Sequence, residues 1–405
     1  MSDGIRLLLL ADSHLGFDLP VRPRVARRRR GHDFLANYAA ALEPALRGEV
    51  DLVVHGGDVF DRPGVPAALA YQAFEPLARV AARGVPVFVV PGNHERGRLP
   101  RVALAVHPRL HVFDRPRTFV TEIRGTTLAL SGFPYERRSV RTEFPRLLEA
   151  AGWRLAGAAL RLVCMHQCAE GATVGPGNFK FRSAADVVRL GDVPPAFAAV
   201  LSGHIHRPQV LSTDLGGRRL AGPVLYPGSI ERTSVAEMDE PKGFMVVHLS
   251  PGDADSRVRW EFRRLPARPM IVEELHAERM TAATLEAAVS AIIAAAPADA
   301  VLRIRLRGAV SDAALRAVSA ARLRVLAPES MNVEVQAAEW QRARSARGHS
   351  RRPPGRSPQA AANLSLPLPA PAPLPFPAPT IDPQQVSITF EPGPNAAATL
   401  AREGD

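Results

Sequence analysis

Short apolar runs recur through residues 1 to 265, and most of them are continuous instead of alternating. Ile5 to Leu10, Leu52 to His55, Val87 to Val90, Arg161 to Cys164 and Ala199 to Ser202 each stop near glycine or a polar cluster. That is the pattern of strands buried on both faces of a sheet. Thr127 to Gly132, Val224 to Pro227, Gly243 to Leu249 and Val258 to Phe262 add strands, and His32 to Leu46 and Pro66 to Ala82 read as helices. From residue 266 a smaller unit begins. Met270 to Leu275 and Val301 to Leu306 alternate as strands, with Val333 to Gln336 as the last one. Thr281 to Ala296 and Ser311 to Ala321 read as helices capped by Thr281 and Ser311, residue types whose side-chain oxygen accepts from the first free N–H groups. From 342 to 405 the chain turns basic and then proline-dense, through Pro353, Pro354 and Leu364 to Pro379. Such a composition cannot bury enough apolar surface to fold, and it predicts an extended, disordered tail. The pattern predicts an α/β protein in three parts, 1–265, 266–341 and 342–405.

A polar motif follows each of the five continuous runs: Asp12-Ser13-His14, Gly57-Asp58, Gly92-Asn93-His94-Glu95, Met165-His166-Gln167 and Gly203-His204-Ile205-His206. Asp, Asn and His are the mixed oxygen and nitrogen donors that suit Mn, Fe or Zn, and no cysteine sits among them. Taken singly each motif is weak, because an Asp-x-His or His-x-His triplet is more often a turn or a satisfied core histidine. Their ordered recurrence at strand ends is what points to a metal centre, since ligands in such sheets gather at the strand carboxyl ends. Cys164 and Cys168 flank His166 but are assigned to the core, where a free cysteine behaves as a small apolar residue.

These residues resemble the calcineurin-like metallophosphoesterases and, within them, the SbcD-type DNA repair nucleases. Gly56-Gly57-Asp58-Val59-Phe60-Asp61, Val90-Pro91-Gly92-Asn93-His94-Glu95 and Gly203-His204-Ile205-His206-Arg207-Pro208-Gln209 carry the likeness, and Tyr226-Pro227-Gly228-Ser229 is similar to a further family segment. The resemblance covers residues 1–265 closely and 266–340 loosely. It implies a four-layer sandwich of two mixed sheets flanked by helices, with a small α/β capping domain. It implies two divalent cations, Mn first with Fe or Zn as alternatives. Asp12, His14, Asp58 and His206 would hold one, and Asp58, Asn93, His166 and His204 the other, so that Asp58 bridges. A hydroxide between the metals would attack the phosphodiester in line, with His94 toward the leaving oxygen. Asp61 either orients a ligand or caps the turn at Arg62-Pro63-Gly64. Glu95 either orients His94 or is a solvated turn residue, and His55 is either a partner of the site or a hydrogen-bonded core histidine. In the family the partner is a coiled-coil ATPase of the SbcC type. The helical hairpin that docks it is not legible here, and Val386 to Phe390 is a candidate docking peptide.

The 405 residues, with 46% hydrophobic content, are enough for two or three domains with a core. A net charge of +11 points to an anionic partner, most simply DNA. Only Lys180 and Lys242 are lysines, so an arginine-rich composition accounts for part of that charge. Arg22, Arg24 and the run Arg27, Arg28, Arg29, Arg30 follow the first motif. Arg96, Arg98 and Arg101 follow the third, Lys180 and Arg182 the fourth, and Arg207 the fifth. Either they grip backbone phosphates or they form a solvated arginine-rich face. Aromatic content of 6% predicts no stacking platform for bases. No apolar run has the length of a membrane span, no leader pattern is visible, and two cysteines make no secreted disulfide framework. The expectation is a cytoplasmic phosphodiesterase acting on DNA, with a homodimer as a further option. Two other readings stay open: a phosphoesterase of small nucleotides or phosphoproteins, which shares the ligands, and a non-catalytic DNA-binding scaffold.

Overall fold

The continuous apolar runs become inner strands of two sheets that pack face to face. The computed structural model describes residues 4–19, 27–97, 99, 107–252 and 257–337, all within one compact unit, Met1–Ser350. Arg22, Arg24, Arg98, Arg101 and the chain from 342 onward, with Val386 to Phe390, lie outside the described residues. One sheet contains β1 (Ile5–Leu10), β2 (Leu52–His55), β3 (Val87–Val89), β4 (Leu110–Val112), β15 (Gly243–Leu249) and β16 (Val258–Arg264). Its order is β16-β15-β1-β2-β3-β4, with β1 to β4 parallel. The other contains β5 (Arg117–Ile123), β6 (Thr126–Gly132), β7 (Leu160–Met165), β12 (Ala199–Ser202), β13 (Gln209–Thr213) and β14 (Arg219–Tyr226). Here the order is β13-β14-β12-β7-β6-β5, with parallel strands in the middle and antiparallel ones at the edges. Four two-residue strands, β8 (Cys168–Ala169), β9 (Thr173–Val174), β10 (Phe179–Lys180) and β11 (Val187–Val188), lie between β7 and β12.

Alternate residues of each inner strand enter different cores, and both cores are apolar. Leu7, Leu9, Val54 and Phe88 pack between the sheets against Leu130, Leu162, Leu201 and Leu225. Their neighbours Leu8, Leu10, Val53, Val87 and Val89 turn outward to α1 (Arg30–Leu46) and α2 (Ala67–Ala82). Val163, Met165, Val200 and Val224 do the same toward α3 (Val140–Ala150). A strand with two dry faces has no polar position to alternate with, which is why these runs read as continuous. Each fully buried Leu, Val or Phe contributes roughly 1.5–3 kcal/mol. On α1 the inward set is Phe34, Tyr38, Ala41, Leu42 and Ala45, one stripe of a 3.6-residue repeat. The layer order of helices, sheet, sheet and helix is the sandwich the family resemblance implies.

A third, fully parallel sheet follows, made of β17 (Met270–His276), β18 (Val301–Arg307) and β19 (Asn332–Ala337). It packs on α4 (Ala282–Ala295), α5 (Asp312–Ala317) and α6 (Ala320–Leu326). Thr281 and Ser311 cap α4 and α5, their hydroxyls accepting from Thr284 and Ala314 N–H. The helix expected over 311–321 is broken at Val318–Ser319. Its buried positions are Ala314, Val318, Leu323 and Ala327, and the five-residue step in the middle would place the last two on another side of a continuous helix. Breaking the helix lets both halves face the core.

Two arginines hold this unit against the sandwich. The Arg268 guanidinium, 6% exposed, pairs with Asp33 of α1 at 2.6 Å. It also donates to the Asp299 and Ser330 carbonyls and to Asn332 Oδ1 at 3.0, 2.8 and 2.6 Å. Arg27 donates to the Ala327 and Arg324 carbonyls at 3.0 and 2.7 Å and to Met331 O at 3.1 Å, occupying carbonyls that the end of α6 leaves free. Arg268→Ala leaves Asp33 with Arg28 alone and frees the Asp299 and Ser330 carbonyls, and it is expected to cost about 1–3 kcal/mol, read as a lowered denaturant midpoint in urea unfolding. A loss under about 1 kcal/mol, the value of an exposed pair, would show that the joint does not depend on this ion pair.

Candidate metal centre

The parallel strands of both sheets end at one crevice. Asp12 and His14 follow β1, Asp58 follows β2, and Asn93 and His94 follow β3. His166 follows β7, and His204 and His206 follow β12. The structure brings all eight together. Asp12, His14 and His206 form one group whose candidate ligand atoms lie within 4.8 Å of one another, and Asp58, His166 and His204 form another. Asn93 Oδ1 lies 2.7 Å from His204 Nδ1 and 3.0 Å from His166 Nε2. The Asp58 carboxylate stands between the groups, its Oδ2 lying 3.3 Å from His166 Nε2 and 4.0 Å from His14 Nε2. His94 Nε2 lies 3.9 Å from the same oxygen, and its side chain is 38% exposed where that of Asp58 is 2%.

Local backbone strain accompanies the cluster. Asp12, His14, Asp58 and His204 have φ of +51°, +42°, +51° and +80°, a region that costs a non-glycine residue about 1–3 kcal/mol. Hydrogen bonds hold these turns: Asp12 N–H donates to Gly57 O at 2.9 Å, His14 N–H to Asp58 O at 3.0 Å, and His204 N–H to Asp12 Oδ1 at 3.0 Å. Two glycines permit the close approach. A Cβ on Gly57 would stand 2.3 Å from His166 Nδ1, and one on Gly92 would stand 2.1 Å from Asp58 Oδ1.

The electrostatics fit bound cations. Asp12 and Asp58 are buried, and among the described residues their ion-pair partners are histidines alone. Burial raises Asp12 above the usual carboxylate range. Burial pushes Asp58 the same way, but His166, His14 and His94 outweigh it and hold Asp58 well below. Burial lowers His166, and Asp58 and Asp12 reverse this and push it up to about 9. Burial dominates at His14 and His204, lowering the first and taking the second down to about 3, so both keep the lone pairs a metal needs. The His14 and His206 Nε2 atoms face each other at 3.0 Å, and His14 Nδ1 is buried with no hydrogen-bond partner. Buried carboxylates without a lysine or arginine, and imidazole nitrogens aimed at one point, are what a divalent cation would satisfy.

The residues behind the cluster take roles the sequence left open. Glu95 neither orients His94 nor meets solvent. Its carboxylate is buried and accepts from Phe60 N–H and Gly92 N–H, each at 2.7 Å, tying the turn after Asp58 to the turn before Asn93. Burial, with Asp58 nearby, pushes its carboxyl up to about 8. His94 is oriented instead by the Asp61 backbone carbonyl, 2.7 Å from Nδ1, while the Asp61 carboxylate pairs with Arg62 at 3.3 Å and stands 4.0 Å from His14 Nδ1. His55 is buried, with Nε2 2.8 Å from Ser13 Oγ and Nδ1 accepting from Gly57 N–H at 3.2 Å. It braces two ligand-bearing turns without entering the cluster.

The arginines divide sharply. Arg27 docks on α6, Arg28 pairs with Asp33 at 2.6 Å, Arg29 pairs with Asp18, and Arg30 with Glu231 at 3.6 Å. Arg207 pairs with Glu240 at 2.9 Å and donates to Asn178 Oδ1 and Gly175 O, each at 2.7 Å. The run from Arg27 to Arg30 is therefore engaged inside the molecule, not presented as a row of free cations. Arg96, Lys180 and Arg182 are exposed, with side chains that have no partner among the described residues. Sequence reasoning missed Thr233, Glu237 and Lys242, which lie behind His206; a fully buried lysine in a chain with two lysines was the available signal.

Residues 5–208, half of the chain, match the profile of the calcineurin-like phosphoesterases. The chain belongs to the calcineurin-like phosphoesterase family. Among curated relatives, the DNA double-strand break repair protein Mre11 of Thermoplasma acidophilum is 26% identical over 278 residues, covering 66% of this chain and 68% of that one. The protein of the same name from Haloferax volcanii is 30% identical over 275 residues, 67% of this chain and 54% of that one. The SbcD subunit of the nuclease SbcCD from Bacillus subtilis is 25% identical over 276 residues, 62% and 67% of the two chains. The chain thus spans about half to two thirds of the length of these relatives. Family membership makes this a metal-dependent phosphoesterase with the crevice as its candidate centre. No helix among the described residues is long and apolar enough to cross a membrane. Gly92→Ala, which drives a methyl group into Asp58, is expected to weaken Mn binding about tenfold or more in calorimetric titration. Wild-type affinity in that variant would remove Asp58 from the ligand set.

Proposed function

We propose that this phosphoesterase is a DNA repair nuclease that hydrolyses phosphodiester bonds with two divalent cations, manganese in the first place. The observation that carries the reading is the pair of buried carboxylates ringed by His14, His94, His166, His204 and His206 without a lysine or arginine partner, in a chain similar to relatives named as DNA break repair proteins. Asp12, His14, Asp58 and His206 would hold one cation, and Asp58, Asn93, His166 and His204 the other. When bound, the cations would act as Lewis acids and supply an activated water for in-line displacement at phosphorus.

The protein's own groups divide the remaining work. His94 is the exposed member of the cluster, and its Nδ1 is fixed on the Asp61 carbonyl. That leaves Nε2 toward the crevice, where the imidazolium form donates its proton to the departing oxygen. The His94 backbone N–H donates to Asp58 Oδ1 at 2.8 Å, so the acid and the carboxylate that would serve both cations are held as a unit. Arg96, Lys180 and Arg182 hold the DNA backbone beside the crevice. The Bacillus relative is named as a subunit, and on that ground a coiled-coil ATPase of the SbcC type is the proposed partner.

Cleavage of end-labelled single- and double-stranded DNA in Mn tests the reading directly. With Arg96, Lys180 and Arg182 each releasing a counterion, log affinity for duplex should fall with log salt at a slope of about −2.7 or steeper. Turnover of free nucleotides with no salt-sensitive DNA binding would establish the small-molecule reading instead. His94→Ala should keep its metal content while losing about 100 to 10,000-fold in rate. If metal and rate fell together, His94 would be a ligand and not the acid.

A further inference from the structure

His206 is held from behind in a way the other histidines of the cluster are not. His166 Nδ1 faces the Gly56 carbonyl at 2.7 Å, His94 Nδ1 faces the Asp61 carbonyl at 2.7 Å, and His14 Nδ1 has no hydrogen-bond partner among the described residues, the Asp61 carboxylate lying 4.0 Å away. His204 turns its Nδ1 to Asn93 Oδ1 inside the cluster. His206 Nδ1 meets a carboxylate, Glu237 Oε1, at 3.2 Å, while its Nε2 points at His14 Nε2 and lies 4.0 Å from Asp12 Oδ1.

Glu237 is itself locked. Thr233 Oγ1–H donates to Oε1 at 2.6 Å and Thr233 N–H to Oε2 at 3.4 Å, and Lys242 Nζ lies 2.7 Å from Oε2. The Lys242 side chain is 0% exposed. An ammonium has three N–H groups, and Lys242 spends them on Glu237, on Glu240 Oε2 at 3.2 Å, and on the His206 carbonyl at 3.0 Å. The same lysine therefore fixes the carboxylate behind the ring and the backbone that carries the ring. Glu240 extends the lock, accepting from Arg207 at 2.9 Å. A buried lysine paired with two glutamates is costly to assemble, and here both Lys242 and Glu237 contact His206.

We infer that Glu237, clamped by Lys242 and Thr233, is a positioning residue that keeps the His206 proton on Nδ1 and its lone pair on Nε2, and so sets the affinity of the cation held by Asp12, His14 and His206 separately from that held by Asp58, His166 and His204. The inference rests on the metal assignment proposed above. A carboxylate behind a ligand histidine raises its basicity and fixes its orientation, and losing such a partner typically weakens metal binding 10- to 100-fold. Among the described residues the other group has no such carboxylate, His166 Nδ1 facing the Gly56 carbonyl and His204 Nδ1 facing Asn93, so the effect falls on one cation.

The test is Mn titration of the full chain, following free Mn by its electron paramagnetic resonance signal beside thermal unfolding of the metal-free protein. Wild type should bind two Mn. Glu237→Gln should bind one with unchanged affinity and the second about 10- to 100-fold more weakly, with metal-free unfolding lowered by the lost Lys242 pair, which Glu240 partly replaces. Thr233→Ala, which loosens Glu237 without removing its charge, should weaken the same single site by less. Equal weakening of both sites, two sites of wild-type affinity in Glu237→Gln, or a shift in metal-free unfolding with both affinities intact would each overturn the inference and leave the metal assignment standing. A wild-type chain that takes up no Mn, Fe or Zn would overturn the assignment and the inference together.

Discussion

Two carboxylates, Asp12 and Asp58, sit almost out of reach of solvent with only histidines to balance them among the described residues. Burying a carboxylate costs several kcal/mol unless it is paired and hydrogen-bonded, and much of the architecture answers that cost. Parallel strands from both sheets stop at the same level, so that five turns can meet. The turns adopt left-handed backbone at four candidate ligand positions, and bonds such as Asp12 N–H to Gly57 O, from one strand end to the next, hold them there. Glu95 joins two more turns from behind. Neither sheet carries the site alone, because Asp58 comes from the first while His166 and His204 come from the second.

The arginines show how a fold spends charge that composition only counts. Arg27, Arg28, Arg29, Arg30, Arg207 and Arg268 are each bonded within the chain, to carbonyls at the end of a helix or to carboxylates. A planar guanidinium with five N–H donors suits that work better than an ammonium. A chain net charge of +11 is therefore a poor guide to the field at the crevice. Arg96, in the turn after β3, and Lys180 and Arg182, on one segment after β9, are among the exposed cations without such a bond among the described residues.

Inner strands were legible because continuous apolar runs have one common explanation, burial on two faces. Of the sandwich's edge strands, β16 was legible as Val258 to Phe262, and the others were not. β5 and β13 are half-exposed and polar along much of their length, so their apolar content does not mark them, and the first half of β14 is equally exposed. The break between α5 and α6 was hidden in a five-residue step between buried positions, which matters only once the core side is known. Glu95 and Glu237 were illegible in a different way. An acidic residue beside a histidine in sequence suggests a pair, yet Glu95 bonds backbone N–H groups, and the carboxylate that meets a ligand histidine lies 31 residues away from it.

The sequence by itself determined the inner strands and the residue types of the candidate donors, since apolar periodicity and residue chemistry are local properties of the chain, whereas the layer order was implied by the family resemblance. Which donor nitrogen faces inward, which carboxylate stands behind it, and which arginines remain free were decided by tertiary structure alone. Those outcomes depend on distances between strand ends and loops far apart in the chain, set by how two sheets pack on one apolar core, and no local pattern encodes them.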